Sequence, residues 1–388
     1  MSEPHAAVGE RPTPGKTERL ATRVAFFVGG FASAAWAPLI PFAKQRLSLD
    51  DGALGLLMLT LGLGSLSTMA LSGWAAGRLG CRKVIRFGTL LACAALPLLA
   101  TLNSFLGMVL ALFVFGSAIG TIDVVVNIQG VIVEKARGQP LMSGFHAGWS
   151  IGGFAGAALV TALLSLGAAS WTAVVVAIVL ALLLHVAFSK GLLTYGSHSS
   201  EKRRMAFPHG FVLAIGALLF VGFLSEGSLL DWGAVFLSSN KGVSMALAGS
   251  GYMAFSIVMV ICRMSGDVIV RRLGGFRVLL FGGLIGAIGF ATVILSPTLW
   301  AILVGFGLIG LGLSNVVPVL FSLCGKQNVM PANQAVSIVS TMAYSGVLLG
   351  PAIIGGVARM FNLGLGLGLV ALMVLVIAGC SFLARRRI

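Results

Sequence analysis

Within Gly116–Gly153, GSAIGTIDVVVNIQGVIVEKARGQPLMSGFHAGWSIGG, two apolar helical stretches carry an acid, two amides, a histidine and a tryptophan. Asp123 lies inside an apolar run that begins near Gly107. An ionised carboxylate at bilayer depth costs several kcal/mol unless it is paired, hydrated or protonated. On a helix turning 100° per residue, Asp123, Asn127, Gly130 and Glu134 fall within roughly 60° of one another and form one polar stripe. Lipid cannot satisfy such a stripe, so it must face protein or water. Past the turn Arg137-Gly138-Gln139-Pro140, the residues His146, Trp149, Ser150 and Gly153 repeat the pattern on the next helix. Two facing polar stripes suggest the wall of a solute cavity.

The chemistry open to these residues is proton exchange and recognition of a polar solute. A carboxyl that is periodically desolvated can bind a proton on one side of a membrane and lose it on the other. Asp123 is the first candidate for that role, and its bland alternative is a structural acid bonded to a neighbouring helix. Glu226, mid-way along a later apolar run, is the second candidate, as a proton-coupling or solute group. Asp231 shares that run but points about 140° away from Glu226 and lies nearer its end. It reads as an external gate residue, or as a helix-end acid in water. Asn127 and Asn315 either bind a hydroxylated solute or tie helices together. His146 can relay protons or bond a nearby backbone carbonyl. Trp149 and Trp36 can stack on a sugar ring or simply pack. Glu134, beside Lys135 and Arg137, reads as half of a loop ion pair.

The elements that must position these groups follow from composition. A chain of 388 residues that is 58% hydrophobic and 10% charged is not a soluble globule. A spanning helix needs about 20 apolar residues. The apolar runs separate into twelve, near 21–43, 53–75, 84–102, 107–133, 145–165, 170–188, 211–236, 246–270, 278–296, 298–323, 333–357 and 361–384. The net charge of +15 reflects topology and does not point to nucleic acid. With a cytoplasmic N-terminus, twenty-one Lys and Arg residues fall in cytoplasmic segments. Four (Lys44, Arg46, Lys241, Arg359) fall outside, and Arg263 lies within a span. That asymmetry places both termini in the cytoplasm. Residues 1–20 read as a disordered tail, and 189–210, carrying GSHSSEKRRM, as a cytoplasmic linker between six spans (21–188) and six more (211–388). The five cysteines form no CxxC pair and are expected as free thiols. No metal-ligand spacing or Walker loop occurs, so neither cofactor nor metal is expected and an ion gradient is the energy source. Gly148-x-Ser150-x-Gly152 and Gly305-x-Gly307-x-x-Gly310 mimic a nucleophile elbow and a dinucleotide fingerprint. Both lie inside apolar helices, where glycines mark close helix contacts, so no enzyme is expected.

Shifting the first half by 192 to 194 residues aligns Arg78-Leu79-Gly80 with Arg272-Leu273-Gly274, Gly152-x-x-x-Gly156 with Gly346-x-x-x-Gly350, and Asp123 with the neighbourhood of Asn315. Repeated halves with a midplane site describe secondary transporters. The layout resembles the major facilitator superfamily, an all-α membrane fold of twelve helices in two six-helix halves. The loop Gly73-W-A-A-Gly77-Arg78-L-Gly80-Cys81-Arg82-Lys83 is similar to that family's cytoplasmic G-x-x-x-D-R-x-G-R-(R/K) signature. Gly73, Arg78, Gly80 and Arg82 match, while the signature's acid is Gly77 here and its second arginine is Cys81. The resemblance implies that Arg78, Gly80 and Arg82 belong to a cytoplasmic gate. Arg263 and Asp267, four residues apart, are expected to pair in place of the missing acid. The stretches Asp123-V-V-V-Asn127 to Met142-S-G-F-His146-A-G-Trp149-Ser150 and Glu226-G-S-L-L-Asp231-Trp232 resemble a bacterial subgroup of inner-membrane permeases, distantly akin to fucose permeases and a rhizopine-cluster membrane protein. The expectation is a monomeric, proton-coupled symporter of a small, hydroxylated organic solute, with sodium as the other coupling ion to consider. The alternatives are an antiporter exporting drugs or metabolites, whose G-x-x-x-G-P signature is displaced here from span five to span eleven, and a non-transporting sensor or scaffold.

Overall fold

A computed structural model describes residues 14–49, 51–196, 208–243 and 250–385, which form helices with no strand among the described residues. Eleven of the helices are long and apolar enough to cross a membrane. One of them, Ser250–Leu295, runs for 46 residues. At about 1.5 Å per residue it would more than double the ~30 Å hydrocarbon core. It bends at Gly274, whose backbone is non-helical (φ 77, ψ 155), and supplies two crossings, which makes twelve. The first half comprises α1 (Lys16–Ala34, continued by short helical pieces to Arg46), α2 (Asp51–Leu79), α3 (Cys81–Thr101), α4 (Phe105–Arg137), α5 (Met142–Ser165) and α6 (Ser170–Phe188). The second comprises α7 (Gly210–Val235), α8 (250–273), α9 (275–295), α10 (Leu299–Lys326, interrupted at Ser314 and Asn315), α11 (Ala332–Met360) and α12 (Leu363–Gly379).

Helix α1 begins four to five residues before the end of the expected tail. Glu18 accepts a hydrogen bond from the Gly15 N–H at 2.6 Å, which satisfies one of the orphan donors of the first turn. The first two turns bury Ala21 and Thr22 while Lys16, Arg19 and Arg23 lie on other faces, so the segment is amphipathic and its average polarity hides its helix. The first thirteen residues and residues 197–207 of the expected linker lie outside the described residues.

Small residues let the helices of each half approach backbone to backbone, and they do so twice over at one register. A Cβ at Gly116 of α4 would overlap the Leu61 carbonyl oxygen of α2, and one at Gly310 of α10 would overlap the Phe255 carbonyl oxygen of α8. These pairs are related by a shift of 194 residues. Gly152 packs on the Phe27 carbonyl, and Gly346 on that of Phe220. Gly80 (φ 86, ψ 152) and Gly274 turn the chain in the same left-handed conformation, which only glycine adopts without strain. The glycines of the two enzyme-like motifs are spent on these helix contacts.

The repeat extends to a pair of cations absent from the aligned motifs. The Arg46 guanidinium donates to the carbonyls of Leu99 (2.8 Å), Ala100 (2.8 Å) and Leu102 (3.0 Å) at the end of α3. Lys241 donates to Ile294 (2.7 Å) and Ser296 (2.9 Å) at the end of α9. Each cation meets the orphan carbonyls and negative pole of a helix C-terminus. Arg46→Met is expected to destabilise the protein by about 1.5–3 kcal/mol, the range for hydrogen bonds to a charged group. Lys241→Met, with fewer bonds, should do less; thermal unfolding in detergent reads both, and unchanged melting would remove this capping role.

Candidate functional site

Between Phe115 and Val131 of α4, every residue is buried except Asp123. Asp123 is therefore the one residue of this stretch with part of its surface left open. Asn127, one turn on and 1% exposed, donates from its side-chain nitrogen to the Asp123 carbonyl at 2.9 Å and reaches the carboxylate at 3.4 Å. Its Oδ1 has no partner among the described residues. The Trp149 ring lies over Gly29 of α1, beside Ile122, and is partly exposed. Across the molecule, Tyr344 of α11 lies near the Ser65 side chain of α2 and within electrostatic reach of Asp123.

On the other side of this space Arg263 of α8 is held by three groups. Its Nη2 donates to Glu226 of α7 at 2.7 Å, its Nη1 to the Ser150 hydroxyl of α5 at 3.0 Å, and its Nε to the Ser314 carbonyl at 3.0 Å. That carbonyl is free for a reason legible in the chain. Pro318 has no N–H to return to residue 314, so α10 opens at Ser314–Asn315 and arginine fills the vacancy. The expected pair of Arg263 with Asp267 does not form. The two point to different depths, and Arg263 links the halves through Ser150 instead. Ser150 and Tyr344, both of which reach across to the other half, are themselves 194 residues apart.

The end of the molecule nearest the linker is packed shut. In one seam, Asn333 of α11 donates to the Gly73 carbonyl at 3.1 Å and Ser337 to that of Met69 at 2.6 Å. In the other, the Gly144 N–H at the start of α5 donates to Asp267 at 3.0 Å, and Arg23 lies 3.8 Å from the same carboxylate. Asp267 occupies the position equivalent to Gly73, one turn before Arg271, the equivalent of Gly77, so the second half carries an acid one turn from where the first-half signature lacks one. His146 is 8% exposed and sits between Phe26 of α1 and Phe321 of α10, with ring centroids 5.3 and 5.6 Å away. Its Nε2 has no partner among the described residues. This aromatic stack bridges the halves beneath Arg263. Asp267→Ala is expected to loosen the linker end, raising the rate of maleimide labelling at the buried Cys324 about tenfold in a background without the other four cysteines. Asp267→Asn, which keeps an acceptor, should do less; equal rates in all three would remove the latch.

Other expected site residues lie elsewhere. Trp36 is 3% exposed and packs within the first half, so its ring does not meet the cavity. Asn315 bonds Cys262 and Ser314, the helix-tying alternative. Asp231 is exposed beyond the cavity. Glu134 is no loop ion pair: its carboxylate accepts from the N–H groups of Leu141 (2.7 Å) and Met142 (2.9 Å) and caps α5. Arg78 stacks on Trp74 at the surface. Gly80 and Arg82 face the segment following α6 and not the second half. Arg82 donates to the carbonyls of Leu192 (2.9 Å) and Lys190, and a Cβ at Gly80 would overlap the Thr194 carbonyl. Gln129 fixes the same segment by accepting from the Leu193 N–H at 3.1 Å.

Two six-helix halves, related by an internal repeat and enclosing polar groups at mid-depth, define a secondary-transporter class of membrane protein. The family model described as Major Facilitator Superfamily matches residues 24–351. The chain belongs to that superfamily and is a multi-pass membrane transporter. It is 48% identical to an uncharacterized MFS-type transporter of Yersinia pestis over 95% of this chain and 96% of the relative. It is 29% identical to the membrane protein MosC of Rhizobium meliloti, covering 98% and 93%. The fold is similar to that of FucP, the E. coli fucose:proton symporter, solved in the outward conformation. The TM-score is 0.79 at 16% identity, over 95% of this chain and 97% of that one.

Proposed function

We propose that this transporter is a proton-coupled symporter that takes up a small, hydroxylated organic solute across a bacterial inner membrane, with the linker and both termini in the cytoplasm. The observation that carries this reading is Asp123, a carboxyl that alone breaks the buried face of α4 at mid-depth while the linker end is shut. The fucose:proton symport of FucP and the charge asymmetry of the loops support it. A proton loads on Asp123, solute settles against Asn127 and Trp149, and the halves rock. The linker-end seams open while the far end closes, and release of proton and solute to the cytoplasm resets the cycle.

The test is external pH in lightly buffered, energised vesicles while sugars, polyols, their acid derivatives, amino acids and cationic drugs are added. Alkalinisation by a hydroxylated solute, lost in Asp123→Asn, is the expected result. Acidification would make the protein an antiporter, and an equal response in wild type and variant would remove Asp123 from the mechanism.

A further inference from the structure

Arg263 is the one lysine or arginine placed within a span by the sequence, and it is committed to the interior. Its side chain is 8% exposed, whereas that of its partner Glu226 is 28% exposed. The carboxylate is therefore the face of the pair that meets the cavity, and the guanidinium lies behind it. A buried pair of this kind is weak evidence for stability, because hydrophobic replacements of similar volume often serve as well. Intramembrane ionisable groups are functional by default. The guanidinium has five N–H donors in a planar fork suited to a carboxylate. Three bonds, to Glu226, Ser150 and Ser314, leave donors on both terminal nitrogens.

We propose that Glu226 is a stand-in for an acidic group of the solute, so that the transported molecule is a hydroxylated carboxylate held by Arg263. The inference rests on the symport reading above and names its substrate class. The solute's carboxylate takes the place of the Glu226 carboxylate on Nη2. The solute's hydroxyls then lie toward Asn127 and Trp149. Tyr252 on α8 lies within electrostatic reach of both members of the pair, and Asp231 on α7 lies within reach of Tyr252. His146 on α5 lies within reach of Arg263, and Tyr344 on α11 faces Asp123. None of these is a second arginine or lysine. Because Arg263 also holds Ser150, a solute that recruits the guanidinium pulls on the contact between α8 and α5, the helices whose inner ends form the Asp267 latch.

The experiment compares matched neutral and acidic probes, galactose with galacturonate and sorbitol with gluconate. Binding to the purified full chain in detergent is read by thermal stabilisation, and proton movement in vesicles is followed alongside. Galacturonate or gluconate is expected to bind at least tenfold more tightly than its neutral counterpart. Arg263→Gln should lose that preference, and Arg263→Lys should keep part of it. Glu226→Gln should bind the acid about tenfold more tightly at pH 8, because the competing carboxylate is gone. Equal binding of acid and neutral partner, no binding by either acid, or undiminished acid binding by a folded Arg263→Gln would overturn the proposal. A neutral sugar that moves protons would sink the acidic-solute inference and leave symport standing. Arg263-dependent acid binding without proton movement would do the reverse.

Discussion

Asp123→Asn is expected to collapse uphill accumulation of solute to a ratio of about one, while downhill movement persists at a reduced rate. A membrane potential of 100 mV is worth about 2.3 kcal/mol per elementary charge. At about 1.4 kcal/mol per factor of ten, one net positive charge moved inward with each solute supports roughly 50-fold accumulation at that potential. Asparagine keeps the shape and hydrogen-bonding capacity of the side chain but cannot carry the proton. The bond from the Asn127 amide to the backbone carbonyl of residue 123 (2.9 Å) does not depend on the carboxylate, so α4 should hold its place. Accumulation of labelled solute in proteoliposomes with an imposed potential measures the effect. A variant that still concentrates solute 50-fold would transfer the coupling role to Glu226.

The second large effect is structural. Gly152→Val should cost at least about 3 kcal/mol, the upper end of ordinary overpacking penalties. Its added atoms fall on the Phe27 backbone carbonyl, which cannot swing aside as a side chain could. Helices α1 and α5 must separate, and Trp149, whose backbone is equally tight against Gly30, must move with them. The symmetry of the halves predicts a comparable loss for Gly346→Val against Phe220. Gly368→Val in α12 is the control, because a Cβ there meets nothing within 4 Å. Melting temperature and gel-filtration profile in detergent decide the matter. A Gly152→Val protein that melts with the Gly368→Val control would show that the α1–α5 approach is not limiting.

The features legible in the sequence were those with a local period. Asp123 and Asn127 stand one turn apart, so a helical projection places them on one face, and the structure leaves that face open at the acid. The glycine-based helix contacts and the turn at Gly274 were readable because glycine alone tolerates them. What could not be read was partnership between distant helices. Glu226 and Arg263 are 37 residues apart and share no pattern, while Arg263 and Asp267 share an i,i+4 spacing that suggested a pair which does not form. A helical spacing fixes the face of a residue but not its depth relative to a third helix. Glu134 was misread because two neighbouring cations offered a partner. The N–H groups of a helix start seven and eight residues later satisfied it better, in a buried place where surface cations cannot follow. Pro318 was the overlooked signal, since it frees the Ser314 carbonyl that anchors Arg263.

The segment after α6 sets a limit on how the two halves move. Gln129, Gly80 and Arg82 fasten residues 190–195 to the first half, and Gly196 lies against the Ala76 carbonyl. The covalent leash that must accommodate any separation therefore runs only from 197 to 209. At about 3.3–3.6 Å per residue its reach is under ~50 Å. Two bodies on so short a leash meet each other at an effective concentration in the millimolar range, so the encounter is nearly prepaid and the seams need little affinity of their own. A few hydrogen bonds from Asn333, Ser337 and Gly144 suffice to close them, and bonds that weak can be broken again on every cycle.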